Sequence, residues 1–243
     1  MTPNQAVWSV VIPAFNEARR LPPYLEEIIA YFEARGDAYE VIVVDDGSRD
    51  GTADRVREIA GTAPVRVIPL AGNEGKGAAV RHGMLAAVGA YRMFTDADGA
   101  TPISELKRLE AALATGVDVA IGSRTVRDPG VSVVARSHRV VAGRLFNGLV
   151  SRLGLPDVGD SQCGFKAFTG RAAEAIFGKL RTRGFGFDVE LLMLARWYGF
   201  RVAEVAVNWS DKPGSKVGVF KTGPGMLWEI VRARIRKIGR AHV

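Results

Sequence analysis

Short apolar runs that break abruptly into carboxylates and glycine organise the first half of this sequence. Val41-Ile42-Val43-Val44 runs into Asp45-Asp46-Gly47-Ser48, and Met93-Phe94-Thr95 runs into Asp96-Ala97-Asp98-Gly99. No polar residue alternates through the first of these runs, which is the pattern of a strand covered on both faces. Three further runs predict strands: Val7 to Ile12, stopped by Pro13; Val65 to Leu70; and Val117 to Ile121. With Glu40 to Val44 and Tyr91 to Thr95 they make five. Between them, helical spacing covers Pro22 to Arg35 with Gly36 as its stop, Gly51 to Ala60 behind an Asp50 cap, Gly77 to Val88, and Pro102 to Ala114. Strands alternating with helices of this length predict right-handed crossovers and a mostly parallel sheet, the α/β class.

The rhythm changes after Gly122. Thr125 to Val134 reads as a loop and Arg136 to Leu153 as a long helix. Gly159 to Phe168 is polar and glycine-bearing, Phe187 to Tyr198 is helical, and Phe200 to Trp209 alternates like a strand. Asp211 to Lys216 is a basic, turn-rich loop. Gly223 to Arg240 is a basic amphipathic helix, with Met226, Leu227, Ile230, Val231, Ile235 and Ile238 at helical spacing and Arg232, Arg236, Lys237 and Arg240 largely elsewhere. No linker or repeat divides the chain.

Composition narrows the partners. Of 243 residues, 47% are hydrophobic and 8% aromatic, as in a soluble globular protein. The single cysteine, Cys163, excludes an internal disulfide framework, fits a reducing compartment and reads as a small buried residue. The chain starts almost directly on a strand, without a signal-peptide pattern, and no apolar run reaches the length of a membrane span. The net charge of +7 points to an anionic partner, whether nucleic acid, membrane or phosphorylated ligand. Stacking aromatics are not interleaved with the basic residues, which argues against nucleic acid. The tail helix, with Trp228 in it, reads equally as a membrane-surface element and as a terminal helix packed on the sheet.

The acidic strand ends are the candidate chemistry, since open α/β sheets bind ligands at the carboxyl ends of their strands. Asp96 and Asp98, one residue apart, can hold Mg²⁺ or Mn²⁺ while a diphosphate completes the shell. Asp45 and Asp46 offer acceptors to the imide of a uracil or the donors of a guanine edge, or cap the next turn. Pro13-Ala14-Phe15-Asn16-Glu17 could lie along a nucleotide. Gly72-Asn73-Glu74-Gly75-Lys76-Gly77 lacks the spacing of a P-loop, yet a glycine-lysine-glycine turn before a helix can approach a phosphate closely. No dinucleotide fingerprint follows the first strand.

In this order the motifs resemble glycosyltransferase family 2, the inverting nucleotide-sugar enzymes of GT-A fold. The residues carrying the resemblance are Val-Val-Ile-Pro-Ala-Phe-Asn-Glu (10–17), Val-Val-Asp-Asp-Gly-Ser (43–48), Asn-Glu-Gly-Lys-Gly (73–77), Asp-Ala-Asp-Gly (96–99) and Gly122-Ser123-Arg124. More narrowly, Asp96 to Thr101, Asp160 to Lys166 and Phe187 to Glu190 are similar to the dolichyl-phosphate glucosyltransferases. The resemblance implies that Pro13, Phe15, Glu17 and Asp46 line the nucleotide, with Asp96 and Asp98 on the sugar diphosphate and its metal; Asp45, Lys76 and Ala97 are further candidates to contact the nucleotide sugar. It also implies Arg124, Lys212, Ser215 and Lys216 around the phosphates. The eukaryotic glucosyl members carry an N-terminal membrane helix that has no counterpart here.

These readings combine into one domain over 1–243, with a nucleotide-binding half to residue 122, an acceptor half over 123–222 and the tail helix from 223. The expected activity is inverting transfer of a hexose, glucose from UDP-glucose first, to a polyprenyl phosphate at the cytoplasmic membrane face. Transfer of mannose from GDP-mannose, a soluble acceptor, and a non-catalytic nucleotide-sugar-binding subunit are the alternatives. An ionised phosphate acceptor needs positioning more than a base, and Arg136 and Arg139 are candidates to hold it. A hydroxyl acceptor would need a base, for which Asp188 or Asp160 is placed.

Overall fold

The computed structural model describes residues 7–134, 158–212 and 219–238. Its centre is a seven-stranded sheet in the order β3-β2-β1-β4-β7-β5-β8. The strands are β1 (Trp8–Ala14), β2 (Tyr39–Asp45), β3 (Val65–Pro69), β4 (Tyr91–Thr95), β5 (Val119–Ser123), β7 (Phe165–Thr169) and β8 (Val202–Ala206). All neighbours run parallel except β7, which is antiparallel to both β4 and β5. A second, two-stranded sheet pairs β6 (Val133–Val134) with β9 (Trp209–Ser210).

Helices cover both faces. On one side lie α1 (Leu21–Arg35), α2 (Thr52–Ala60) and α4 (Leu106–Ala114); on the other lie α3 (Lys76–Ala86), α5 (Gly170–Lys179), α6 (Phe187–Trp197) and α7 (Val219–Ile238). The central strands explain why. In β2, Val41 and Val43 pack into the first layer and Ile42 and Val44 into the second, all fully buried. Behind β4 and β7, the rings of Phe94, Phe168, Phe177 and Phe187 meet at centroid distances of 5.4 to 6.5 Å. Burying each such ring contributes about 1.5–3 kcal/mol.

The structure departs from the sequence expectations at several elements. β1 continues through Pro13 instead of stopping before it. Pro13 pairs with Val44 on one side, while on the other the β1–β4 register ends at Val11, so the missing N–H leaves no gap in a ladder. β7 begins inside the stretch 159–168, where only a polar, glycine-bearing segment was expected, and α5 follows where the sequence predicted no element. β6 takes up the last two residues of the expected 125–134 loop. Asp50 does not cap α2 from the residue before it: the N-cap is Gly51, and Asp50 instead accepts the Thr52 N–H and hydroxyl. The helix expected over 136–153 lies outside the described residues.

Candidate active site

Because β1, β2, β4 and β5 are parallel, the segments after them open on one edge of the sheet. The antiparallel β7 brings the segment before it, Asp160 to Gly164, to the same edge. Asp96 N–H donates to the Gly164 carbonyl at 3.0 Å, and a Cβ on Gly164 would lie 2.2 Å from the Asp96 carboxylate. Glycine at 164 is therefore the condition for Asp96 to sit where it does.

Asp96 and Asp98 differ in their surroundings. Asp96 Oδ1 pairs with Lys76 Nζ at 2.6 Å. Burial works against the lysine's charge, but Asp96 and Asp188 more than offset it, so its pKa stands above the ordinary value. Asp98 Oδ1 accepts the Ala100 N–H at 3.1 Å, and Arg20 Nη1 stands 3.9 Å from its Oδ2. Burial first, and then the Asp96 charge, push the Asp98 carboxyl upward, with Ala100, Arg20 and Lys76 only partly countering them. Two carboxylates that repel each other at a strand end favour a cation between them and a ligand. Among the described residues no three His, Cys, Asp or Glu come together as a metal cage. A pair of hard oxygen donors suits a divalent ion whose remaining ligands come from a diphosphate, so the residues present fit the Mg²⁺ or Mn²⁺ expected from sequence.

The loops after β1 and β2 are sewn together. Ser48 Oγ accepts the Asn16 N–H at 2.8 Å, Asn16 Oδ1 accepts the Arg49 N–H at 2.8 Å, and Thr52 Oγ1 accepts the Glu17 N–H at 2.8 Å. Glu17 takes a bidentate contact from Arg20 at 2.5 and 2.7 Å. The two neighbouring aspartates have different partners. Asp45 caps the turn, accepting the Ser48 N–H at 2.9 Å. Asp46 reaches across to the lysine turn, accepting the Glu74 N–H at 2.6 Å and the Gly75 N–H at 2.9 Å. Burial leads the upward displacement of its pKa, against those two backbone donors. Gly47, at φ +75°, lets the turns touch: a Cβ there would lie 2.7 Å from the Gly72 backbone.

Arg124 follows β5 and is clamped by Asp160. Its Nε and Nη2 each donate to an Asp160 oxygen at 2.7 Å, and its own backbone N–H donates at 3.0 Å. Its guanidinium also lies over the Trp209 ring at 5.4 Å. Burial would raise the Asp160 carboxyl, but the Arg124 hydrogen bonds and charge outweigh it and hold the pKa below the ordinary value. Asp188 is fully enclosed and pairs with Lys166 Nζ at 2.5 Å, while the same ammonium donates to the Ser161 and Cys163 carbonyls.

The edge thus gathers Pro13, Phe15, Glu17, Asp45, Asp46, Lys76, Asp96, Ala97, Asp98 and Arg124. Phe15 is partly exposed, and Lys212 is exposed two residues beyond Ser210, whose N–H donates to the Ala100 carbonyl. Arg136, Arg139, Ser215 and Lys216 lie outside the described residues. Sequence reasoning gave no role to Arg20 or Lys166. Their signals were a base three residues after Glu17 and a charge inside an otherwise apolar strand.

In sequence and in fold the chain is similar to known proteins. Residues 9–177 match the model of Glycosyl transferase family 2. A Dictyostelium discoideum protein named dolichyl-phosphate beta-glucosyltransferase is 37% identical over 241 residues, which cover 94% of this chain and 74% of that one. The Homo sapiens protein of the same name is 38% identical over 243 residues, covering 94% and 75%. Among solved structures, glucosyl-3-phosphoglycerate synthase from Mycobacterium tuberculosis, crystallised with Mn²⁺, UDP and glucosyl-3-phosphoglycerate, superposes with a TM-score of 0.69 at 20% identity, over 97% of this chain and 80% of that one. Mannosyl-3-phosphoglycerate synthase from Rubrobacter xylanophilus gives 0.72 at 20% identity, over 98% and 75%. At that identity the likeness speaks for the fold, which is GT-A. The chain belongs to glycosyl transferase family 2.

Proposed function

We propose that the protein transfers glucose from UDP-glucose to a polyprenyl phosphate, with inversion at the sugar carbon. The observation that carries this reading is the convergence of Asp96, Asp98 and the Asp160-clamped Arg124 on one sheet edge, in a chain 37% and 38% identical to two proteins named dolichyl-phosphate beta-glucosyltransferase. In this reading residues 1–122 bind the nucleotide, 123–222 serve the acceptor and 223–243 form the tail. Pro13, Phe15 and Glu17 line the nucleotide, with Asp45 and Asp46 framing the base side. Lys76, Ala97 and Lys212 flank the sugar diphosphate.

Asp96 and Asp98 would hold Mg²⁺ or Mn²⁺, which when bound offsets negative charge on the departing diphosphate. Arg124, oriented by Asp160, adds a fixed positive charge at the same edge. An acceptor phosphate oxygen forms the new bond to C1 as the C1–oxygen bond to UDP breaks, and UDP departs with the electron pair. An ionised phosphate has no proton to lose, so the protein's task is to align acceptor and donor. Arg136, Arg139, Ser215 and Lys216 are proposed for the acceptor phosphate.

The proposed setting is the cytoplasmic face of a membrane. No helix among the described residues is long and apolar enough to cross one. The tail helix α7 instead buries Ile230 and Ala233 while exposing Trp228, Ile235 and Arg232, an outer face suited to an anionic surface.

The test is a donor-by-acceptor screen of UDP-glucose and GDP-mannose against polyprenyl phosphate and soluble phosphorylated acceptors, with Mg²⁺, Mn²⁺ or a chelator. Turnover of UDP-glucose with the lipid alone, lost on chelation, is expected. Turnover confined to a soluble acceptor, together with no flotation on anionic liposomes, would sink the lipid reading. A chain that never turns over, with Asp98→Ala leaving complex assembly intact, would favour a binding subunit.

A further inference from the structure

Glu229 is the only acidic residue after Asp211, in a segment rich in Lys and Arg, and it turns inward. Its Oε1 accepts the Gly184 N–H at 3.0 Å and its Oε2 accepts the Gly186 N–H at 2.9 Å. A side chain at either glycine would push the carboxylate out of this position: a Cβ on Gly184 would lie 2.4 Å from Oε1, and one on Gly186 2.9 Å from Oε2. A carboxylate gripping two backbone donors ahead of α6 makes charge-assisted bonds and also meets the positive end of that helix.

The turn held in this way forms the wall behind Lys76. The Arg183 carbonyl accepts the Ala78 N–H at 3.1 Å. A Cβ on Gly75 would lie 2.6 Å from the Arg183 carbonyl oxygen, and one on Gly77 2.5 Å from that of Thr182. Backbone is therefore pressed on backbone along this seam. Between the two turns, Lys76 Nζ stands 5.9 Å from the ring centroids of both Phe185 and Phe187 and pairs with Asp96.

We propose that Glu229 is a positioning residue for the donor's diphosphate: it fixes the 184–187 turn, whose packing aims Lys76 at Asp96. The inference rests on the reading of Lys76 and Asp96 as the diphosphate end of the site. It makes the tail helix part of the donor site from its inner face, while the adjacent Trp228 stands 65% exposed on the outer one.

The experiment uses Glu229→Ala and Glu229→Gln in the full chain, read by amide hydrogen exchange and by steady-state kinetics with UDP-glucose. In the alanine variant, exchange is expected to accelerate at Gly184 and Gly186 and also at Ala78, with the KM for UDP-glucose rising about tenfold, the order of one lost charge-assisted hydrogen bond. The glutamine variant keeps one acceptor oxygen and the side-chain shape, so it should fall between, and it keeps the test decisive if the alanine variant folds poorly. Unchanged exchange at the two glycines overturns the proposal. So does acceleration confined to them, with Ala78 and the KM unmoved. If the wild-type chain does not use UDP-glucose, the donor reading fails separately, and the exchange at Ala78 still decides whether Glu229 acts on the lysine turn.

Discussion

Lys166 and Asp188 form an ion pair at 2.5 Å in which both side chains are shut away from solvent. The ammonium has three oxygen partners and stands 5.3 Å from the Phe94 ring centroid. Burial raises the Asp188 carboxyl, and Lys166 and Lys76 draw it back. Removing one member strands the other charge, which costs about 3–5 kcal/mol. Asp188→Asn should therefore lower the unfolding midpoint strongly, and Lys166→Met with Asp188→Leu should recover much of it. Denaturant melts of the singles and the double give the coupling. A large activity loss in Asp188→Asn without a stability loss would instead make Asp188 a base.

Asp98→Asn separates function from folding in the opposite way. Its carboxyl is raised by burial and by Asp96, so removing the charge relieves a native-state cost. Stability should hold or rise, whereas kcat should drop about a hundredfold or more if the carboxylate manages the diphosphate. Thermal unfolding paired with turnover at saturating Mn²⁺ checks both halves.

The Arg124–Asp160 clamp predicts an acid-side loss. Although burial opposes it, Arg124 holds the folded carboxyl below its ordinary value. Its stabilising contribution is thus complete above that ordinary value and fades as pH falls through the lower, folded one. Asp160→Asn should flatten the acid limb of a stability–pH curve, and an unchanged limb would contradict the assignment.

Cys163 is 1% exposed, and burial pushes its thiol up to about 12. A thiol this protonated and enclosed is inert to alkylation. Iodoacetamide near pH 8 should label the chain only at the rate at which the segment before β7 opens, so denaturant should accelerate labelling steeply.

How far the sequence foretold this molecule depended on whether local and tertiary signals agreed. At Val41–Val44 an uninterrupted apolar run meets a strand buried on both faces, and element and site could be read together. At Phe165–Thr169 they conflict. Lys166 makes the run look like surface, and its burial is made tolerable by the Ser161 and Cys163 carbonyls and by the charge of Asp188, twenty-two residues on. The division of labour between Asp45 and Asp46 was also hidden, because it depends on where the turn at Glu74 and Gly75 comes to rest. The outward face of α7 divides an apolar series that spacing alone joins: Ile230 is enclosed and Ile235 is 62% exposed.

The inverted strand β7 also fixes an order of assembly. β5 has only β7 and β8 as neighbours, and both are synthesised after it. A nascent chain that has reached Ser123 already contains every acidic strand end of the site, yet β5 has no partner and Asp96 has no Gly164 carbonyl to receive its N–H. Chain stopped there would expose the free edge of β4 to other copies, a route to aggregation. The reaction edge closes only when residues far downstream thread between strands already made, so the N-terminal half is not a module that can be cut out and kept.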